Sequence, residues 1–330
     1  AALTTLKQQP ETAWLSEVSS VPLQQALRHL DTAFRHFFAH HAKYPRFKKK
    51  RGRQAATYAS SAFRYEAATR TLTLAKLDTP LDIRWSRSLP KGATPTTITI
   101  SRDTAGRYFV SFLVEEEIAP LPAVAAQVGI DLGLHDVVVV STGEKVGNPH
   151  FFRQDETKLA KAQRRLAKKQ RGSHNRDKAR RKVARMHARI ADRRSDFLHK
   201  LSTRIIRENQ TICIESLAVK AMVKHPTLAK AIHDVGWGEF IRQLAYKAAW
   251  YGRTFIQVDR WYPSSKRCSA CGHVLDTLPL DIRQWTCPNP TCDAQHDRDI
   301  NAAQNILAVG LTVAASGETV RPATALVRPA

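Results

Sequence analysis

Four cysteines, Cys268, Cys271, Cys287 and Cys292, fall within 25 residues of one another. They form two pairs with two and four intervening residues, separated by 15 others. Such pairs make two knuckles that can close on one tetrahedral Zn²⁺ at about 2.3 Å. Two disulfides are the alternative, which a reducing cytosol disfavours. With four thiolates and no open position the zinc is expected to be structural. The second knuckle, CPNPTC, is the wider one, and its prolines are expected to fix the turn. The fifth cysteine, Cys213, lies in the apolar run TICIE and reads as strand packing.

Three carboxylates complete the chemistry. Asp131 closes the apolar segment VGID, and Glu215 closes TICIE. The third is Asp297 or Asp299 in HDRDINAAQNIL. The helical neighbours of Asp299 at +3, +4, +7 and +8 are Ala302, Ala303, Ile306 and Leu307, an apolar stripe. Those of Asp297 are Ile300, Asn301, Gln304 and Asn305, mostly polar, so Asp299 is the better ligand candidate. Each acid alone reads as a cap or a surface group. Converging in a basic protein, they need a cation. Mg²⁺ takes oxygen ligands, and two ions about 4 Å apart can stabilise both oxygens of a phosphodiester displacement. Asp259, after TFIQV, is a fourth carboxylate, expected to support the three.

The charge names the partner class. The 330 residues carry 52 Lys and Arg against 29 Asp and Glu, a net +23, which points to a polyanion. Residues 151–207 hold 20 basic and 5 acidic residues, and 43–53 hold seven basic and no acidic one. A solvated surface is the plain alternative, but a one-signed run does not build an internally paired helix. The residues expected to bind nucleic acid are Lys48, Lys49, Lys50, Arg51, Arg164, Arg165, Lys168, Lys169, Arg171, Arg180 and Arg181. The longest aliphatic run is Val137–Val140, far short of the roughly 20 residues of a membrane span, and no signal peptide is seen.

The elements that must hold these residues follow from periodicity. Val21, Leu23, Ala26, Leu30 and Phe34 recur at helical spacing, with Pro22 in a first turn. Residues 70–77, 96–101 and 107–115 alternate as strands of a small β domain, and 119–126 reads as a linker. The basic stretch reads as an antiparallel helical hairpin broken at 171–175, with a stripe of Val183, His187, Ile190, Phe197, Leu201 and Ile205. A helix over 237–251 stops at Gly252, a strand spans 254–258, and a last helix runs from about Asp299 to Leu307. This order argues for an α/β layer fold with inserts.

The segments GIDLGLHD, CIESL, VGWGEFIRQLAYKAAWYG, WYPSSKRCSACGH and CPNPTCDAQHDRDINAAQNIL, in that order, resemble the TnpB (OrfB) family of insertion-sequence proteins, relatives of the type V CRISPR effectors. The resemblance extends from about Lys43 to Leu307. It implies a RuvC-like, ribonuclease H-like nuclease domain over 124–309, with the helical hairpin at 155–207 and the zinc ribbon at 263–297 as insertions. It implies a wedge-like β domain at 43–123, a partial recognition segment at 1–42 and a tail at 310–330. The metal-binding triad would be Asp131, Glu215 and Asp299, with magnesium. A transposon-derived guide RNA and target DNA would be the partners, in the prokaryotic cytoplasm at the nucleoid. Against the family pattern, about 50–60 residues are missing ahead of Ala1, which is expected to leave a wedge edge unpaired.

The resulting expectation is an RNA-guided, metal-dependent DNA endonuclease. A transposase acting directly on element ends is one alternative, and a nuclease-impaired RNA-guided DNA binder is another. Retention of all three acids disfavours the latter.

Overall fold

A computed structural model describes residues 2–49 and 52–315. The chain divides into two compact units, one of Ala1–Glu117 with Arg165–Arg185, the other of Ile118–Arg164 with Met186–Ala330. The tip of the basic hairpin thus belongs with the first unit, although its sequence neighbours do not. This partition differs from the contiguous one read from the sequence, where long-range contacts are invisible.

In the first unit, α1 (Ala2–Gln8) and α2 (Ser20–Phe38) precede the strands. Ser19 caps α2 by accepting from Val21 N, and no side chain of α2 is fully buried. Strands β1 (Gln54–Ala59), β4 (Thr97–Arg102) and β5 (Tyr108–Leu113) form an antiparallel sheet in the order β1-β4-β5. Strands β2 (Phe63–Glu66) and β3 (Thr71–Leu74) form a separate ribbon. Alternation buries Leu72, Leu74 and Ile98 in one core, with Tyr58, Phe63 and Phe112 packed on it. Neither β1 nor β2 was legible, since QAATYA and FRYE carry few strongly apolar residues.

The second unit is built on five strands, β6 (Gln127–Asp131), β7 (Asp136–Val140), β8 (Lys145–Gly147), β9 (Thr211–Glu215) and β10 (Thr254–Val258). Their order is β10-β9-β6-β7-β8, with β6, β9 and β10 parallel and the β6-β7-β8 edge antiparallel. Helices α3 (Phe151–Ala167) and α4 (His174–Glu208) are the basic pair. They run antiparallel: Phe151 meets Phe197, and Gln154 accepts from Arg193. The apolar stripe of α4 lies at Ile190, Leu198, Leu201, Ile205 and Ile206. His187, expected in it, is exposed although the helix period keeps it in line with Leu198, Leu201 and Ile205.

Short helices α5 (Val219–Met222) and α6 (Ala229–Val235) lead to α7 (Trp237–Tyr251). Gly252, at φ 66°, ends α7 in the left-handed conformation. Helix α7 buries Phe240, Leu244 and Ala248 with α4 against one face of the sheet. After strands β11 (Gln284–Thr286) and β12 (Gln295–Asp297), helix α8 (Arg298–Ala315) covers the other face through Ile306. The segment expected as a tail, 310–330, is helical at its start. Helix α8 continues through apolar residues to Ala315, and the remainder lies outside the described residues.

Two glycines let α8 lie this close. A Cβ on Gly129 would stand 2.0 Å from Ala303 O, and one on Gly310 would stand 2.4 Å from Cys213 Sγ. Gly129→Ala must push α8 off β6. It is expected to cost about 1–3 kcal/mol, read as a lower thermal midpoint. An unchanged midpoint would contradict this packing.

Candidate active site and metal cluster

Strand alternation decides which acids meet. Val128 and Ile130 of β6, with Ile212 and Ile214 of β9, enter the core under α4 and α7. Gly129 and Cys213 therefore face α8, and Asp131 and Glu215 share their parity. The register pairs Ile130 with Ile214, so the two acids stand at the same end of neighbouring parallel strands. Helix α8 starts at that end, with Asp299 in its first turn.

Asp131 feels the other two acids. Burial pushes the Asp131 carboxyl up to about 7, and the charges of Asp299 and Glu215 push the same way, against Arg298. Burial also raises the Glu215 carboxyl. Arg283 Nη1 lies 3.3 Å from Asp299 Oδ1. A carboxyl raised by burial and by neighbouring acids marks a place where positive charge is short.

Asp297 has a different task. Its Oδ1 accepts from Asp299 N and Ile300 N, which makes it the N-cap of α8, and Lys145 Nζ pairs with its Oδ2 at 2.7 Å. Burial alone would raise its carboxyl, but Lys145 and the two backbone N–H groups hold it below its usual value. Asp259 also serves the backbone, its Oδ1 accepting from Trp261 N at 2.7 Å.

The four cysteines come together. Their sulfurs lie within 4.8 Å of one another, with Cys268–Cys292 at 3.7 Å and Cys271–Cys287 at 3.6 Å. A tetrahedral ion with bonds of about 2.3 Å has sulfur–sulfur edges near 3.8 Å, which these match. Among the described residues no other set of three His, Cys, Asp or Glu ligand atoms is drawn so close, the carboxylates included. The backbone N–H of His273, foremost, lowers the Cys271 thiol to about 6, the thiolate form a metal requires. Cys213 stays apart, buried, its thiol pushed up to about 12.

Several residues at this site gave no sequence signal. Asn289, between the two prolines, ties the second knuckle together. The Asn289 side chain accepts from Thr291 and donates toward Cys271 Sγ, and its carbonyl accepts from Cys292 N. His296 Nε2 lies 3.0 Å from Cys268 Sγ. Asn301 and Asn305, fully buried, donate to Arg267 O at 2.7 and 2.6 Å, and Asn305 also to Ser264 O. Ser269 N donates to Asn301 Oδ1. The polar face of α8 is thus the face that grips the cysteine ribbon, within two turns of Asp299.

The expected nucleic-acid ligands are placed variously. Lys48 and Lys49 are exposed on an extended segment, and Lys50 and Arg51 lie outside the described residues. Arg164 and Arg165, near the end of α3, and Lys168, Lys169 and Arg171, in the turn after it, are all exposed. Arg180 and Arg181 are half-buried and line a pocket with Gln54, Arg102, Asp103 and Asp177. No described helix is long and apolar enough to cross a membrane.

Carboxylates at the end of the central strands and a cysteine ribbon gripping the last helix accompany a TnpB/Cas12-like fold. A cryo-EM structure titled as a Cas12f1–sgRNA–target DNA complex superposes with a TM-score of 0.53 at 13% identity, over 84% of this chain and 69% of that one. The sequence family OrfB_IS605, described as "Probable transposase", matches residues 111–225, and "Cas12f1-like, TNB domain" matches 237–306. A Streptomyces pristinaespiralis protein named "Putative RNA-guided DNA endonuclease" is 59% identical over 98% of this chain and 79% of its own length. Escherichia coli K12 "Putative RNA-guided DNA endonuclease InsQ" is 34% identical over 96% and 80%. The chain belongs to the TnpB (OrfB) family.

Proposed function

We propose that this protein is an RNA-guided DNA endonuclease that cuts phosphodiester bonds at Asp131, Glu215 and Asp299, in the prokaryotic cytoplasm at the nucleoid. One observation carries the reading: three carboxylates at one end of the sheet, on the side of α8, with Asp131 raised to about 7 by burial and by the other two. The order of the five-stranded sheet supports a RuvC-like, ribonuclease H-like domain built on 124–164 and 186–315, and the antiparallel strands of the first unit support a wedge domain, with 1–42 read as part of the recognition segment. The names of the two relatives support the guide RNA and the DNA target.

The donor set fits a hard divalent cation, because it is all carboxylate oxygen and is short of positive charge. Asp131, Glu215 and Asp299 would hold magnesium, which supplies stabilisation of the attacking and leaving oxygens. Strands β6 and β9 fix the first two acids, and the Asp297 cap and the ribbon fix the turn carrying the third. Arg283 offsets the Asp299 charge until substrate and cation arrive. The four cysteines would hold structural zinc, which keeps the ribbon folded against Asn301 and Asn305.

The proton on Asp131 has a consequence for stability. Its folded pKa lies above the unfolded value, so its contribution is full below about pH 4 and is lost as pH rises to about 7. Magnesium held by Asp131 would take the place of the proton. It is expected to raise the thermal midpoint clearly at pH 8 and hardly at pH 5, and equal shifts at both would contradict the assignment.

The basic residues at 43–53 and in the hairpin would track the guide RNA backbone. Reversing Arg164, Lys168 and Arg171 to Glu should lower the salt slope of RNA binding by roughly one unit per lost phosphate contact. Two parallel lines of equal height would make these residues a solvated face.

The reading is tested by sequencing the RNA that co-purifies with the protein and offering a duplex matched to it, with magnesium or with a chelator. Cutting of the matched duplex with magnesium alone is expected. Cutting of element ends after the RNA has been digested would favour the transposase reading.

A further inference from the structure

Beyond the three acids, the carboxyl end of β10 carries a group that the cutting chemistry does not use. Trp261 is 79% exposed, while the next residue, Tyr262, packs against Val258, Ile256 and Ile306. The turn between them is fixed: Asp259 accepts from Trp261 N through its side chain and from Tyr262 N through its carbonyl. The Arg260 guanidinium lies 4.9 Å over the indole ring. A single exposed apolar side chain is ordinary. A bare indole on a rigid turn, with a cation stacked on it, has the make-up of a platform for a nucleic-acid base.

Its position says which nucleic acid. The register sets Val258 beside Glu215, and Trp261 follows three residues on, a reach of at most ~10 Å. An extended strand whose phosphodiester lies among the acids therefore passes within reach of the indole. Stacking tolerates any base, as suits an enzyme whose target is chosen elsewhere by base pairing.

We propose that Trp261, with Arg260 behind it, stacks a base of the single DNA strand beside the bond being cut and so positions that strand at the carboxylates. This rests on the reading of Asp131, Glu215 and Asp299 as the cutting site.

The test uses full-length protein carrying its co-purified RNA and a matched duplex with 5-iododeoxyuridine at successive positions around the cut. Irradiation of the uncut complex formed by the Asp131→Ala protein should crosslink one or two DNA positions to the peptide containing Trp261. In single-turnover cutting, Trp261→Ala should be slower by about ten- to a hundred-fold at unchanged duplex affinity, and Trp261→Phe should recover most of the rate. An abasic nucleotide at the crosslinked position should slow the wild type equally, yet slow Trp261→Ala no further. Crosslinks only to other peptides would overturn the proposal, as would wild-type cutting by Trp261→Ala. Cutting that survives loss of the acids would instead overturn the site, and the crosslink would still report on Trp261.

Discussion

Asp131→Ala, Glu215→Ala and Asp299→Ala are each expected to lower the rate of DNA cutting by about a thousand-fold or more, with guide RNA binding nearly intact. The acids share one job, and removing any of them leaves an incomplete oxygen shell, so double variants should be hardly worse than single ones. RNA affinity rests on basic side chains and is not expected to follow. Asp297→Ala is the informative control. It removes a helix cap and the partner of Lys145, a loss of about 1–2 kcal/mol in stability, but no cation ligand. The Asp297→Ala protein should melt earlier and still cut. An Asp299→Ala protein cutting at the wild-type rate, or an inactive Asp297→Ala protein of normal stability, would reverse the choice between the two acids.

Loss of the zinc proposed at the four cysteines should have the next largest effect. In small zinc domains metal binding and folding are one event, with about 10–16 kcal/mol of binding energy at stake. Cys271→Ser or Cys287→Ser should release the ribbon. The buried amides of Asn301 and Asn305 then lose the carbonyls of Arg267 and Ser264, at about 1–3 kcal/mol for each orphaned group. Those residues lie on the same helix as Asp299, so cutting should fall more than ten-fold although no carboxylate has changed. Metal analysis of purified protein should find one zinc per chain. Protein stripped of zinc by a chelator and cutting normally in magnesium would separate the ribbon from the site.

The positions of the proposed ligands were more legible in the sequence than the groups that support them. Asp131 and Glu215 were legible because each ends a short apolar strand, where alternation and parallel pairing fix both face and end. The cysteines were legible because knuckle spacing is a local property. Asn301 and Asn305 were not: a polar residue on a helix reads as solvent-facing, and only the ribbon folded over it makes that face an interior one. Asn289 and His296 were hidden for the same reason, since their partners lie 18 and 28 residues away in sequence. The grouping of the hairpin tip with the first unit depends on contacts that no periodicity records.

The most direct measurement is the position of bound cation. Crystals of the guide-loaded protein soaked in manganese, a heavier stand-in for magnesium, should give anomalous density among Asp131, Glu215 and Asp299, and that density should vanish in the Asp131→Ala protein. Density at Asp297 or Asp259 instead, or none at any carboxylate in crystals of a protein that cuts DNA in manganese solution, would contradict the account.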